Sequence, residues 1–337
     1  MMERVLICMI FGILSAIILA AAREVNEEEW RKRSESGEAC GGMKIGLIDV
    51  DSHNFPNLAL MKISAWHKRR GDTVEWWNGL FHYDIVYMSK VFTDTPDIPW
   101  VINADKIVKG GTGYGMTEVL PDEIEHIYPD YDLYGSRFRD TAFGFLSRGC
   151  PRNCAFCIVS QKEGMKSMKH SDLSEWHHGQ RYIELMDPNL LACRDWKDLI
   201  GQLSESDAWI NFNQGLDARM MTEAKAEAIS RVKYKNIHFA WDRMEDEKQV
   251  KRGLLLFKEH AQRKPNKVWA TVYVLTNFGT TQAEDLERVT WLKSEGYDPY
   301  IMIYDKPHAT KETKKLARYV NNRKIFYTVR SFEEYKG

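Results

Sequence analysis

The chain has 337 residues with 47 Lys and Arg against 48 Asp and Glu, a formal net charge of −1, and is 44% hydrophobic and 28% charged. That balance describes an ordinary folded protein large enough for two domains, and it excludes an overall field that recruits nucleic acid or an acidic membrane. Six cysteines in this length do not make a disulfide framework and favour a reducing compartment.

Residues 5–22 form a run of 18 uncharged, mostly apolar residues, at the lower length limit for a membrane helix. Three readings stand. As an anchor, the run would leave the main body cytoplasmic, because Arg23, Arg31, Lys32 and Arg33 outweigh Arg4. Arg4 in front and Ala20, Ala21 and Ala22 behind also imitate a signal peptide. Alternatively translation starts at Met43, and residues 1–42 have no structural duty.

From Met43 the pattern alternates. Residues 44–50 form a short apolar run that reads as a buried strand. Residues 57–70 place Leu58, Met61, Ile63 and Trp66 at helical spacing, with Gly71 as the stop. Residues 73–76, 85–87 and 106–108 read as further strands, and Gly110, Gly111, Gly113 and Gly115 make a glycine-rich turn after the last. The order predicts a small doubly wound, flavodoxin- or Rossmann-like sheet over 43–115, with ligands at the carboxyl ends of its strands. At the first of those ends, Asp51, His53 and Pro56 resemble the D-x-H-x-x-G motif of cobalamin-binding domains. That resemblance implies His53 as a lower cobalt ligand and Gly110–Gly111 as a diglycine over the nucleotide tail. Pro56 departs from the motif at the glycine needed for close backbone approach. His53 as a loop residue capping the next helix stays open beside it.

Residues 116–140, with Pro121, Pro129 and Gly135, read as a linker. Larger strand–helix units follow. Candidate strands are 141–146, 182–186, 208–212, 236–241, 268–275 and 300–304; candidate helices are 195–203, 221–231, 245–260, 283–294 and 310–320. Counting the loop after the first strand, the units number six. They predict a partial (β/α)6 barrel over 141–305 with its chemistry at the strand carboxyl ends. Residues 306–337 form a basic C-terminal helix and tail. Its Lys and Arg residues read as a solvated helix face, and nucleic acid is not an expected partner.

Just after the first of the six strands, Cys150, Cys154 and Cys157 lie within eight residues. Iron–sulfur clusters usually take four cysteines, and structural zinc takes four ligands in paired half-sites. A compact trio therefore points to an open, reactive metal site. Zinc completed by Cys193, His170, His177 or His178 is the alternative.

The C-x3-C-x2-C spacing, with Phe156 in the aromatic position, resembles the radical S-adenosylmethionine enzymes. The resemblance implies that Cys150, Cys154 and Cys157 hold three irons of a [4Fe-4S] cluster while S-adenosylmethionine chelates the fourth. An electron from a flavodoxin- or ferredoxin-type donor would then cleave that cofactor to a 5′-deoxyadenosyl radical, which takes hydrogen from a substrate the sequence does not name. Methyl transfer or another C–H functionalisation would follow. An oxygen-sensitive cluster of this kind favours a cytoplasmic body over an exported one.

The same resemblance gives the other strand ends to S-adenosylmethionine. Asp187 and Asn189 would accept from its ammonium, with an Asp187–Pro188 turn as the alternative. After the third strand come Asn211, Asn213, Gln214, Asp217 and Arg219, polar groups costly to bury unless they bind something. Arg219 would pair with the methionine carboxylate or bridge to Asp217. Asp242 suits ribose or substrate, whereas His238 reads as a satisfied core residue. Asn277 would meet the adenine. No second cysteine trio lies between Met43 and Gly149, which argues against methylthiolating chemistry. The competing class is a non-catalytic, zinc- or cluster-stabilised binding protein on the same α/β scaffold.

Overall fold

Short apolar runs alternate with helix-spaced stretches, and the computed structural model turns that alternation into a mixed α/β fold of parallel sheets. It describes residues 42–337 apart from 53–54, 116–118, 235–236, 262, 265–266 and 269. The apolar run at 5–22 and His53 lie outside the described residues.

Strand β1 (Lys44–Asp49) carries Ile45, Leu47 and Ile48 into the core. Helix α1 (Leu58–Arg69) starts where the Asn57 side chain accepts from Leu60 N–H at 3.2 Å. It returns the chain to β2 (Thr73–Trp76). With β3 (Tyr83–Ser89) and β4 (Ala104–Gly110) these make a four-stranded parallel sheet of order β2-β1-β3-β4. On one face, Leu60 and Ile63 of α1 share a core with Leu47 and Tyr87. Loops cover the other face, where Trp77, Ile98 and Ile102 pack with Ile48, Val86 and Met88. The parallel order agrees with the α/β expectation, while helices on both faces are not seen among the described residues. The β2–β3 connection spans only residues 77–82, and a helical crossover needs a dozen or more residues.

The stretch expected to be a linker is packed. Leu120, Ile124, Ile127 and Tyr131 are buried. Tyr134 Oη donates to Asp49 Oδ2 at 2.8 Å and accepts from Asn57 N–H at 2.9 Å, tying the end of β1 to the start of α1.

In the second half, β5 (Thr141–Gly144), β6 (Tyr182–Leu185) and β7 (Trp209–Phe212) form one parallel sheet in that order. A second contains β8 (Ile237–Trp241), β9 (Ala270–Thr276) and β10 (Asp298–Ile303). The two meet edge to edge through parallel bridges between Ile210 and Tyr234 and between Leu216 and Phe239. One helix follows each strand in turn: α2 (Val159–Glu163), α3 (Trp196–Glu205), α4 (Glu223–Ser230), α5 (Glu247–His260), α6 (Gln282–Ser294) and α7 (Lys311–Asn321), with α8 (Arg323–Thr328) last. Thr222, Thr281 and Thr310 cap α4, α6 and α7.

Strand alternation assigns the two faces. Ile183, Ile210, Phe239 and Val272 pack into a single core with the helices. The opposite face presents Glu184, Asn211, His238 and Tyr300, each half-buried. Arg288 of α6 is fully buried and donates to Trp241 O at 2.6 Å and Leu275 O at 2.8 Å, pinning the carboxyl ends of β8 and β9. Among the described residues no helix is long and apolar enough to cross a membrane.

Candidate metal centre

β5 leads into the two-residue strand Ser147–Arg148, which pairs antiparallel with Met168–Lys169 and closes the base of the cysteine loop. Gly149 sits at φ +84°, and a Cβ there would run into the Lys166 carbonyl, so the position needs glycine. Inside the loop, Cys150 N–H donates to Gly164 O at 3.1 Å and Cys157 N–H to Cys154 O at 3.0 Å. Gly149 N–H donates to Glu163 Oε2 at 3.2 Å, fastening the loop to the end of α2. Cys150, Cys154 and Cys157 are free thiols, all half-buried. Burial, with Asp242 adding to it, pushes Cys154 up to about 11 and raises Cys157 as well. A lone thiolate is therefore unfavourable here, and a cation is what would stabilise three.

A trio of metal-capable ligand atoms within 4.8 Å of one another, Glu223, Glu259 and His260, lies apart from the cysteine loop. The histidines weighed as a fourth ligand have other partners. His170 Nε2 pairs with Glu125 at 3.0 Å, His177 Nε2 with Gln180 O at 2.9 Å and His178 Nε2 with Ser174 O at 3.1 Å.

Asp187, just past β6, is buried. Its carboxylate accepts from Leu146 N–H at 2.8 Å, Ser147 N–H at 2.6 Å and Ser147 Oγ at 2.5 Å. Burial still pushes it up to about 7 against those three bonds. Its oxygens thus hold the two residues that lead into the cysteine loop, a role the sequence did not suggest in place of the ammonium contact. Asp187→Ala strands two buried N–H groups and is expected to lower stability by about 3 kcal/mol, read by urea unfolding.

Asn189 stands two residues on. Its Nδ2 donates to Cys150 Sγ at 3.4 Å and to Asp217 Oδ2 at 3.2 Å. Its Oδ1 is buried with no hydrogen-bond partner among the described residues. A buried carbonyl in that state is costly, and it marks a place for a donor.

Asp217 gathers Arg152 Nε at 3.1 Å and Arg219 Nε at 2.7 Å, and Arg219 reaches on to Asp246 at 2.8 Å. Arg219 therefore makes the internal bridge, with two carboxylates on its guanidinium instead of an open face for a methionine carboxylate. Asn213, at the exit of β7, is 6% exposed, and its Nδ2 is unpartnered among the described residues. Gln214 follows it on the same turn. Burial pushes Asp242, one residue past β8, up to about 6, while Arg219 and Arg288 pull the other way. Its influence on Cys154 and Cys157 puts it on the cysteine side of the strand ends.

Asn277 lies past β9 at φ +62° and donates Nδ2 to Tyr304 O at 2.7 Å, joining the ends of β9 and β10. Its neighbour Phe278 meets Phe156 edge-on with ring centroids 5.4 Å apart, so the aromatic of the cysteine loop draws the first strand end onto the fifth.

On the inward face, Glu184 accepts from Asn211 Nδ2 at 2.6 Å, and His238 stacks on Tyr273 at 5.3 Å. The sequence reading passed over Glu184, although an acid between Ile183 and Leu185 marks the second face of a strand. Burial pushes Glu184 from 4.5 up to about 7, opposed by the Asn211 hydrogen bond. Across that window the folded protein binds the extra proton. Stability is therefore expected to fall as pH rises through it, and to fall less in Glu184→Gln; urea unfolding at about pH 5 and about pH 8 checks the slope.

The loop also abuts the carboxyl ends of the N-terminal sheet. Lys162 Nζ of α2 donates to Thr112 Oγ1 at 2.9 Å, just past β4. Buried Glu125 takes Lys62 Nζ at 2.9 Å and lies 3.8 Å from Arg148, bracing the same junction. At these strand ends the described side chains bond to the fold itself. Asp51 caps Val91 and Phe92 N–H at 2.7 and 2.9 Å, and Asn57 Nδ2 bridges from α1 to Ser89 Oγ at 2.7 Å. A Cβ on Gly111 would strike the Lys90 carbonyl, so the diglycine packs on the protein's own backbone.

No family model and no curated protein matches the chain. A solved structure does: the radical S-adenosylmethionine methyltransferase TsrM from Kitasatospora setae, with cobalamin and [4Fe-4S] cluster bound, at TM-score 0.55 and 11% identity over 78% of this chain and 75% of that one. At that identity the likeness is one of fold.

Proposed function

We propose that this chain is a radical S-adenosylmethionine enzyme. In this reading β5 to β10 form a partial (β/α)6 barrel over residues 141–305, with the sheet of 43–115 set against its mouth by the packed stretch 119–140. The observation that carries the reading is the buried, unpartnered Asn189 Oδ1 beside Cys150, at a strand end next to three free thiols. The fold likeness to TsrM supports it.

Cys150, Cys154 and Cys157 would hold the [4Fe-4S] cluster, and Asn189 Oδ1 would accept from the ammonium of S-adenosylmethionine. Asn213 Nδ2 offers a donor for its carboxylate, and Asp242 an acceptor for its ribose. When bound, the cluster supplies the electron that cleaves S-adenosylmethionine and starts radical chemistry. A low-potential flavodoxin- or ferredoxin-type protein is the proposed donor. The chain's own part is positional. Asp187 holds the start of the cysteine loop, Asp217 orients the Asn189 amide, and Phe156 with Phe278 covers the site against water. The substrate would lie on the inward face lined by Glu184, Asn211 and His238.

Anaerobic reconstitution with iron and sulfide tests it. A paramagnetic signal that changes on adding S-adenosylmethionine, with release of 5′-deoxyadenosine on reduction, is expected. A colourless zinc protein, or a cluster signal indifferent to S-adenosylmethionine, would sink the reading.

A further inference from the structure

We propose that the amino-terminal edge of the N-terminal sheet is a membrane-contact surface, which seats the folded body on an anionic phospholipid bilayer through the loops at 77–82 and 98–103. The inference does not depend on the chemistry of the cysteine site.

Register puts the four strand starts together. Lys44 pairs with Thr73 and Tyr83 with Ala104, so β1 to β4 begin at one edge. The loops arriving there carry Leu80, Phe81, Trp100 and Val101, which are 85%, 47%, 68% and 93% exposed. Single exposed apolar residues are normal on any protein; four large ones on two adjacent loops are not.

The same edge carries charges of both signs. α1 ends there with Arg69 and Arg70 exposed, and Lys44 Nζ, paired with Glu75 at 3.2 Å, lies over the Phe81 ring at 3.9 Å. Other acids of this edge also have partners within the fold: Asp72 accepts from Met43 N–H at 2.9 Å and pairs with His67, Asp84 accepts from Lys44 N–H at 2.6 Å, and Asp105 pairs with His82 at 3.0 Å. Apolar and aromatic tips beside exposed arginines match the bilayer interface, where aromatic rings sit at headgroup level and cations meet anionic lipid.

Chain order selects lipid over another protein as the occupant. The chain enters β1 at this edge, and the apolar run at 5–22 ends about 20 residues upstream, a reach of at most about 70 Å. A bilayer holding that run would be within range of the exposed loops. The opposite edge of the sheet is the one that meets the cysteine loop, through Thr112 and Lys162. Seating the loops on lipid therefore leaves the cysteine site facing away from it.

Hydrogen exchange of the full chain, with and without vesicles of phosphatidylcholine and phosphatidylglycerol, tests the proposal. Binding of the chain alone does not decide, since residues 5–22 could supply it. Amides of 78–82 and 98–103 are expected to exchange at least about fivefold more slowly on vesicles, and Leu80→Ser with Val101→Ser to abolish that protection while the strands stay protected. Unchanged exchange at both loops in the vesicle-bound chain overturns the proposal, as does failure to bind vesicles. Loop protection that is already present without lipid, and is lost with dimer dissociation in ultracentrifugation, also overturns it and assigns the surface to a second copy.

Discussion

A Cys154→Ala chain is expected to hold no stable cluster and to release 5′-deoxyadenosine only at background, with its fold intact. The physical basis lies in the loop. Cys154 and Cys157 are raised by burial and by Asp242, so each thiolate needs the metal charge shared among all three. Taking away one sulfur leaves two ligands and a site no longer able to retain the metal. The fold does not depend on that sulfur, because the loop is held by Asp187, Glu163 and the Gly164 carbonyl. Unfolding free energy of the metal-free protein should shift by only about 0.5 kcal/mol. Iron and sulfide content, product chromatography and urea unfolding of the two metal-free chains make the comparison. Retained cleavage of S-adenosylmethionine by the variant would remove Cys154 from the site.

Arg288→Met is expected to lower unfolding free energy by about 3–5 kcal/mol, the cost of leaving a buried charge without its partner. Arg288 is 0% exposed and ion-pairs with Asp285, itself buried. Its guanidinium also satisfies Trp241 O and Leu275 O at the carboxyl ends of β8 and β9. The variant leaves the Asp285 carboxylate with Thr280 Oγ1 but without its cation, and takes a donor from both carbonyls in one step. Adding Asp285→Leu should recover much of the loss, because an apolar pair of similar volume replaces two buried charges. Asp242 loses one of the two cations that pull its carboxyl down, so it should be harder to ionise in the variant. Urea unfolding of the single and double variants measures the effect. A loss below about 1 kcal/mol would mean that water reaches this arginine.

Much of the fold was legible because its signals are local. Asn57, Thr222, Thr281 and Thr310 stand where helices start, and each caps one. The apolar runs of the second half became strands at nearly the expected positions. In the N-terminal sheet, strand spacing alone does not tell whether a crossover carries a helix or a loop. The stretch 119–140 looked like a linker from its prolines and acids, yet Tyr131 and Tyr134 anchor it across the two halves.

At the site, roles were less legible than positions. From the sequence Asp187 reads as an acceptor for an ammonium, but its partners Leu146 and Ser147 lie 41 and 40 residues before it. From the sequence Arg219 suits either a ligand carboxylate or Asp217; Asp246, 27 residues on, completes the internal bridge. Glu184 gave only the faint sign of an acid in a buried strand.

The sequence by itself determined the spacing of Cys150, Cys154 and Cys157, the strand–helix order around them and the helix caps, because these depend on residues within a few positions of one another. Only the tertiary structure decided which polar groups beside the cysteines are already paired and which, Asn189 Oδ1 and Asn213 Nδ2, are not. It also decided that Asp51 and Asn57, at the strand ends of the N-terminal sheet, bond to the fold itself. Hydrogen bonding is a competition among all groups that reach one place, and segments far apart in the chain meet there only after folding.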